Sequence, residues 1–432
     1  MLGSVPTTPK SLEDYRPIIG DERTDEILRL GDQLRGARVL HVNATAFGGG
    51  VAEILGTMVP LMNDAGLDAD WQVIKGADDF FNITKAMHNS LQGMYYDWTP
   101  EKRETWLDYN RMNAELFDGS YDFVIIHDPQ PAPILSFLEQ RTGERSGKWI
   151  WRCHIDLTDA QPPVWDLLRT YVERYDAAIF TLPDYVKDDL RGPQIFCVPP
   201  AIDPLSPKNM PLPAETVDQI LERYSVDPRR PMITQISRFD PWKDPLGVID
   251  VYRAVKAEVP DLQLVMVASM ASDDPEAWDW YERTVRRAGE DYEIHVLSNL
   301  QGVGNLEVNA FQRAAKVVVQ KSVREGFGLV VSEALWKARP VVAGNVGGIP
   351  LQIVNGKTGF LVNSTEECTE KVLFLLRNEK EAARMGERGA EYVRDNFLMT
   401  RYLRDYLRIF CQLSGREGAA PPHPIQAGRA PG

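Results

Sequence analysis

Two carboxylates, Glu325 and Glu333, stand eight residues apart in the sequence EGFGLVVSE. The apolar run KVVVQKS before them predicts a strand and LVVSEALWKA after the glycines predicts a helix, which places Glu325 in the connecting turn. Glycines let the backbone approach a ligand, and the amides of a helix start favour an anion. Each carboxylate accepts hydrogen bonds in pairs and so suits the vicinal hydroxyls of a ribose or a hexose. An acidic first turn followed by one solvated glutamate is the alternative interpretation.

Two cations, Arg238 and Lys243, occur in the sequence SRFDPWKD directly after the predicted strand MITQI. A guanidinium fork and an ammonium point charge at the carboxyl end of one strand can together neutralise a diphosphate. An ordinary surface loop that carries two cations is the alternative.

A glycine-rich loop, NATAFGGGVAE, joins the first predicted strand of the chain to a helix. Gly48, Gly49 and Gly50 can bring backbone amides close to a phosphate or a sugar hydroxyl. The loop lacks the G-x-G-x-x-G spacing of a dinucleotide fingerprint, which argues against a dehydrogenase.

Polar clusters end two further predicted strands. HDPQ places His127 and Asp128 at one strand end, and RCHID places Arg152, His154 and Asp156 at another. A single histidine at such a position is most often a hydrogen-bonded scaffold group. Two clusters at adjacent strand ends favour a ligand site instead, because the carboxyl ends of parallel strands lie along one edge of the sheet.

The elements that must position these residues form two series of strands alternating with helices. The first series has the strand candidates ARVLHVNA, DADWQVI, YDFVIIHD, GKWIWRCH, DAAIFTL and IFCVPPAID, and the second has MITQIS, LQLVMVA, EIHVLS, KVVVQ, PVVAG and GFLV. Apolar strands alternating with helices predict parallel sheets covered on both faces. We therefore predict an α/β fold of two tandem, doubly wound, Rossmann-like domains, with ligands bound in an interdomain cleft.

We place the first domain at residues 1–205 and the second at residues 206–397. The apolar positions of MTRYLRDYLRIFCQL predict a last helix, at about residues 398–413, which we expect to pack back on the first domain. Residues 414–432 are rich in Gly, Pro and Ala and are predicted to be disordered. The polar residues 1–35 contain helical stretches and have no predicted core role.

The composition narrows the functional classes. The 432 residues carry 48 Lys plus Arg against 62 Asp plus Glu, a formal charge of −14, so we expect no broad nucleic-acid surface. Four widely spaced cysteines form no metal-ligand pair and suit a reducing cytoplasm. The N-terminus has no secretory signal pattern and no run approaches a membrane span, so we expect a cytoplasmic protein. The oligomeric state stays open, and a homo-oligomer is compatible with the sequence.

Together these motifs resemble the retaining nucleotide-sugar glycosyltransferases of the GT-B fold, family 4. The family's E-x7-E motif matches EGFGLVVSE, its Arg/Lys pair matches Arg238 and Lys243, and its glycine-rich loop matches FGGGVAE. The resemblance covers roughly residues 37–412. Within this family the chain is most similar to the trehalose-forming members, through HVNATAFGGGVAEIL, HDPQP, WRCHIDL and QKSVREGFGLVVSEALWKARPVVA.

The resemblance implies reversible transfer of glucose from ADP-, UDP- or GDP-glucose to free glucose, giving α,α-trehalose. It assigns the donor-sugar hydroxyls to Glu325, the ribose to Glu333 and the departing diphosphate to Arg238 and Lys243. The further donor-binding residues that it implies are Gly326, Phe327, Gly328 and Leu329 at the helix start and Gly304 and Asn305 near the base. No Asp-x-Asp pair at a predicted strand end demands a metal, so we expect no tightly bound cofactor or metal, although Mg²⁺ could assist through the nucleotide phosphates.

The resemblance also implies residues around the acceptor. The amides of Gly49 and Gly50, with Gly48 in the same loop, would face a phosphate or the acceptor, and Asp128 and His154 would orient the two sugars. A retaining trehalose phosphorylase, which uses phosphate in place of the nucleotide diphosphate, is the first alternative. A non-catalytic regulatory protein that binds sugar nucleotides is the second.

Overall fold

The computed structural model describes residues 1–47, 49–143, 145–270 and 275–416. The chain forms two compact units, one made of residues 1–200 together with the chain from Met399, the other of residues 201–398. Each unit is an open sheet flanked by helices, which confirms the predicted pair of doubly wound α/β domains.

Parallel strands dominate the sheet of the first unit. Its strands within the described residues are β1 (Gly3–Ser4), β2 (Arg38–Asn43), β3 (Asp68–Val73), β4 (Phe123–His127), β5 (Lys148–Arg152), β6 (Ala177–Phe180) and β7 (Gln194–Cys197). They are ordered β1–β3–β2–β4–β5–β6–β7, and β1 alone runs antiparallel to its neighbour. Every residue of β4 is buried, as expected for a strand covered by helices on both faces.

The described α-helices of the first unit that precede residue 200 are α1 (Arg16–Ile19), α2 (Asp21–Gln33), α3 (Gly50–Asp64), α4 (Asp78–Leu91), α5 (Pro100–Leu116), α6 (Ile134–Thr142) and α7 (Pro162–Val172). The polar N-terminal segment has a larger structural role than its composition suggests. Leu12, Tyr15 and Ile27 are almost fully buried, and the Leu12 amide donates to an Asp64 carboxylate oxygen at 2.7 Å. A few buried apolar side chains therefore anchor a segment that is polar on average.

The sheet of the second unit is parallel throughout the part of the chain that is described. Its strands are β8 (Met232–Arg238), β9 (Gln263–Ser269), β10 (Ile294–Ser298), β11 (Val317–Gln320), β12 (Val341–Gly344) and β13 (Phe360–Val362), ordered β10–β9–β8–β11–β12–β13. Its helices are α8 (Ala214–Arg223), α9 (Pro245–Lys256), α10 (Pro275–Ala288), α11 (Asn305–Ala314), α12 (Leu329–Trp336), α13 (Ile349–Gln352), α14 (Thr365–Arg377) and α15 (Glu379–Asn396).

The strand order reverses once within each parallel sheet. In the first unit β2 lies between β3 and β4, and in the second unit β8 lies between β9 and β11. Loops leave such a reversal in opposite directions and open a crevice beyond the carboxyl ends of the two strands, where ligands bind in doubly wound folds. The polar strand ends singled out from the sequence follow β4, β5, β8 and β11.

The last helix, α16 (Met399–Leu413), belongs to the first unit. Its Arg401 forms an ion pair with Asp405 at 3.0 Å and donates to the carbonyl oxygens of Pro199 at 2.7 Å and Pro200 at 3.1 Å. Residues 417–432 of the predicted disordered tail lie outside the described residues. Across the described ranges, no helix combines the length and apolarity needed to cross a membrane.

Candidate active site

The loop after β8 is held in shape by its own acidic side chains. Asp240 accepts the Lys243 backbone amide at 3.1 Å and forms an ion pair with Arg238 at 3.1 Å. Asp244 adopts a left-handed conformation, with φ of 46°, and caps α9 by accepting the Gly247 amide at 3.1 Å. The loop therefore presents Arg238, whose side chain is 67% exposed, on a rigid turn at the reversal of strand order.

The predicted diphosphate cation and the predicted sugar carboxylate are in direct contact. The Lys243 ammonium forms an ion pair with Glu325, and their side chains are only 14% and 11% exposed. The Ser322 hydroxyl also donates to Glu325 Oε2, at 3.3 Å. The loops after β8 and β11 are further joined by a bond from the Val323 amide to the Trp242 carbonyl at 2.8 Å. A partly desolvated pair of this kind holds both groups in fixed positions.

The turn before α12 requires its glycines. Gly328 has φ of 81°, and a Cβ there would lie 3.1 Å from Glu325 Cγ. A Cβ on Gly348 would lie 2.6 Å from the Gly326 carbonyl oxygen, so a second segment presses closely on the same turn. Phe327 is buried and its ring centroid lies 5.6 Å from that of Phe397. Leu329 then opens α12, whose N-cap, Gly328, makes no side-chain capping bond.

Glu333 lies inside α12 and is 1% exposed, which excludes the alternative of a solvated surface glutamate. Its two carboxylate oxygens face different partners: Lys208 Nζ lies 3.5 Å from Oε1, and Gln312 Nε2 donates to Oε2 at 3.3 Å. Lys208 belongs to the segment that precedes α8, and the sequence did not predict it as a site residue. Only the tertiary fold brings it to Glu333, and no local motif signals it.

Gly304 and Asn305 are found at the start of α11. The Gly304 amide donates to Glu307 Oε2 at 2.8 Å, and Glu307 also lies 3.6 Å from Arg223. These contacts fix the helix start.

In the first unit, Gly49 and Gly50 open α3 and are exposed, and a Cβ on Gly49 would meet no atom within 4 Å. Gly48 lies outside the described residues. Just before this loop, Asn43 accepts a bond from Trp71 Nε1 at 2.7 Å and donates to the Thr45 carbonyl at 2.7 Å. The strand end is therefore fixed where the glycine loop begins.

Asp128 follows β4 with φ of +65°, a left-handed conformation that aspartate tolerates better than most residues. Its amide donates to the Arg152 carbonyl at 2.8 Å, and its carboxylate accepts the His154 amide at 2.8 Å. Burial raises the pKa of the Asp128 carboxyl to about 7, against the opposing effects of the His154 amide and the Arg152 guanidinium. Asp128 thus joins the ends of β4 and β5 through its own backbone and side chain.

Three histidines form a hydrogen-bonded row across the ends of β2, β4 and β5. His41 Nδ1 lies 3.0 Å from His127 Nε2, and His127 Nδ1 lies 3.0 Å from His154 Nε2. His41 was not predicted as a site residue, because the pattern of its strand indicates only a buried position. The structure brings together Asp128, His127 and His154, as the adjacent strand ends predict.

The other two members of that predicted cluster, Arg152 and Asp156, form hydrogen bonds within the protein. Arg152 is fully buried and donates to the Val198 carbonyl at 2.9 Å. Asp156 caps its own loop by accepting the amide and hydroxyl of Thr158 at 2.9 and 2.6 Å. Through these contacts both residues support the strand end.

The chain matches two family models. Residues 41–187 match the model described as trehalose synthase, N-terminal domain, and residues 217–392 match that of glycosyl transferases group 1. The glycine loop and the histidine–aspartate cluster fall in the first match. Arg238, Lys243, Glu325 and Glu333 fall in the second.

Several relatives are similar over nearly their whole length. Trehalose synthase of Thermococcus litoralis is 52% identical over 93% of this chain and 96% of its own, and that of Rubrobacter xylanophilus is 53% identical over 96% and 100%. Trehalose phosphorylase of Pleurotus pulmonarius is 28% identical over 81% of this chain but only 54% of its own.

Among solved structures, sucrose-phosphate synthase from Thermosynechococcus elongatus shares the fold, with a TM-score of 0.69 at 17% identity, over 88% of this chain and 99% of its own. The match to the glycosyl transferases group 1 model and the identity to trehalose synthases show that the chain is a glycosyltransferase. Since half of its residues are identical to those of relatives that it covers almost completely, it belongs to the trehalose synthase family of group 1 glycosyltransferases.

Proposed function

We propose that this enzyme transfers glucose from a nucleoside diphosphate glucose to free glucose, forms α,α-trehalose, and also runs in reverse. The observation that carries the proposal is the Lys243–Glu325 contact at the strand-order reversal of the second sheet. It sets a cation for the departing diphosphate beside a carboxylate for sugar hydroxyls. The relatives at 52% and 53% identity are trehalose synthases, which supports the choice of product.

Retention of configuration by front-face substitution suits the position of Glu325. A double displacement requires a carboxylate that attacks the anomeric carbon from the face opposite the leaving group. Glu325 is instead held by Lys243 and Ser322, next to the group that we assign to the leaving diphosphate. We infer an oxocarbenium-like transition state in which the diphosphate oxygen takes the proton of the acceptor hydroxyl as it leaves.

Arg238, Lys243 and the amides at the start of α12 stabilise the negative charge that grows on this oxygen. Donors fixed in advance contribute about 3 kcal/mol each to a transition state of this kind. Arg238 is fixed by Asp240 and Lys243 by Glu325, so little reorganisation is needed. The proposal needs no tightly bound metal or other cofactor, and any Mg²⁺ that accompanies the donor would act through the nucleotide phosphates.

Glu333 favours a nucleotide donor over inorganic phosphate. The role that we propose for Glu333, binding ribose hydroxyls, requires a leaving group that carries a ribose. Lys208 and Gln312 hold the Glu333 side chain from both oxygens and so orient it for that role. Gly304 and Asn305, with Gly326 to Leu329, complete the proposed donor site.

Asp128 predicts a pH dependence for acceptor use. Because burial raises its pKa to about 7, the carboxylate that accepts sugar hydroxyls is mostly protonated at pH 6 and mostly ionised at pH 8. We expect kcat/KM for glucose to rise through one ionisation near pH 7. The measurement is a pH profile of the wild type and of Asp128→Asn, which keeps a residue tolerant of positive φ. A profile with the same step in both proteins contradicts the assignment.

A donor and acceptor panel on the purified protein tests the function directly. ADP-, UDP- and GDP-glucose are each incubated with glucose, and the disaccharide and its anomeric configuration are determined by NMR. Trehalose is also incubated with nucleoside diphosphate or with phosphate in parallel. We expect α,α-trehalose in the forward direction and cleavage with nucleoside diphosphate only. Cleavage with phosphate alone would make the enzyme a phosphorylase and overturn the proposal.

A further inference from the structure

The row of His41, His127 and His154 has a feature that the proposed chemistry does not use. Its rings meet edge to edge and are nearly coplanar, with centroids 5.3 Å apart at each step and interplanar angles of 29° and 14°. His41 and His127 are buried, and His154 is the partly exposed ring at the end of the row. Both contacts join ring nitrogens, at 3.0 Å each.

The positions of the protons in this row are coupled. A neutral imidazole has one N–H donor and one bare acceptor nitrogen, so His127 can satisfy both neighbours only by donating to one and accepting from the other. Two arrangements result. In one, every ring carries its proton on Nδ1; in the other, every ring carries it on Nε2.

Burial keeps all three rings neutral. It lowers the pKa of His41 to about 3 and lowers the pKa values of His127 and His154 well below their usual range. The Arg152 guanidinium acts on His127 and His154 in the same direction.

The inner end of the row selects between the two arrangements. His41 Nε2 is buried and has no hydrogen-bond partner among the described residues. In the Nε2–H arrangement this atom would be a buried N–H without an acceptor, which is rarer in proteins than a buried acceptor without a donor. The Nδ1–H arrangement avoids that cost at His41.

We propose that His41 and His127 are positioning residues that hold His154 as its Nδ1–H tautomer, so that His154 offers a hydrogen-bond donor, and not a base, to an oxygen atom of the bound sugar. The His127–His154 contact and the Asp128 bond to the His154 amide fix the direction of that donor. The identity of the sugar rests on the proposed function. The tautomer of His154 does not depend on the proposed function.

This arrangement has a chemical consequence for the transfer. In the Nδ1–H tautomer His154 accepts from His127 through Nε2, and its other nitrogen already holds a proton. It therefore has no bare nitrogen left to remove a proton from the acceptor hydroxyl. The proton must go elsewhere, which agrees with its transfer to the diphosphate oxygen.

Nitrogen-15 NMR tests the tautomer on the full protein without any substrate. The chain has six histidines, so ring-labelled protein gives few signals, and a His154→Gln variant assigns the signal of His154. We expect His41, His127 and His154 all to carry the proton on Nδ1 at neutral pH, the reverse of the preference of free histidine. A His154 ring protonated on Nε2, or on both nitrogens, overturns the proposal whether or not the enzyme makes trehalose.

Two variants of nearly equal size test the positioning role. His127→Asn keeps an amide donor near the place of Nδ1, whereas His127→Leu removes it. We expect His154 to keep its Nδ1 proton in the Asn variant and to lose it to Nε2 in the Leu variant, with kcat/KM about 10-fold lower in Leu than in Asn. His295→Asn, in β10 of the other unit, is the control and should leave the His154 signals unchanged. Equal tautomers and equal kinetics in the Asn and Leu variants contradict the proposal.

Discussion

Arg238→Ala and Lys243→Ala are each expected to lower kcat by about 100-fold or more, with the larger loss at Lys243. Both cations are assigned to the diphosphate oxygen on which charge grows in the transition state. Lys243 is 14% exposed and Arg238 is 67% exposed, so the field of Lys243 is less screened by water. Its loss also leaves Glu325 without the cation that holds it.

Lys321→Ala is the matched control for this experiment. Lys321 is a similarly enclosed lysine, 12% exposed, and is paired with Asp244 rather than with a proposed substrate-binding group. Steady-state kinetics with the nucleotide donor, with thermal unfolding to confirm the fold, would separate loss of a catalytic cation from loss of an ion pair. Near-normal turnover in both Arg238→Ala and Lys243→Ala would refute the assignment.

Much of the framework can be read from the sequence because parallel sheets impose a simple pattern. Strands buried on both faces need unbroken apolar runs, and VVV in β11 and FVII in β4 meet that need. The polar residues that follow such runs fall at the carboxyl edge of the sheet. Glu325, Arg238 and Asp128 were found in this way, because each lies within a few residues of a strand end.

Contacts between distant parts of the chain could not be read in the same way. Lys208 meets Glu333 across 125 positions of sequence, and no local pattern links them. His41 lies inside an apolar strand, where a histidine is most simply read as a core residue; its partner, His127, is on a neighbouring strand. The polar N-terminal segment was underestimated because averaged polarity hides the few apolar residues that anchor it.

The contact between Lys243 and Glu325 supplies information that the spacing of each motif lacks. The E-x7-E spacing is equally compatible with a solvated helix, and two cations in a loop are common. Because Lys243 and Glu325 form one largely enclosed ion pair, neither can be explained as a fully hydrated surface charge. Tertiary structure thus turns two weak sequence signals into one specific one.

Glu325→Gln is expected to lower kcat/KM by about 100-fold, which corresponds to about 2.7 kcal/mol. Glutamine keeps the shape of the side chain but replaces the charge-assisted hydrogen bonds that we propose to the sugar hydroxyls by neutral ones. It also leaves Lys243 without its counter-charge and the Ser322 hydroxyl with a weaker acceptor. Unfolding midpoints of each variant are needed beside the kinetics, because breaking an enclosed ion pair also lowers stability.

The double variant Lys243→Ala/Glu325→Gln shows whether the two residues act as one unit. If Lys243 works only when Glu325 holds it in place, the double variant should be no slower than the slower single variant, because the second change removes a contribution already lost. A double-mutant cycle on kcat/KM measures this coupling, and Lys321→Ala/Glu325→Gln is the control pair, whose effects should add. Fully additive losses for Lys243 and Glu325 would show that the cation and the carboxylate contribute separately.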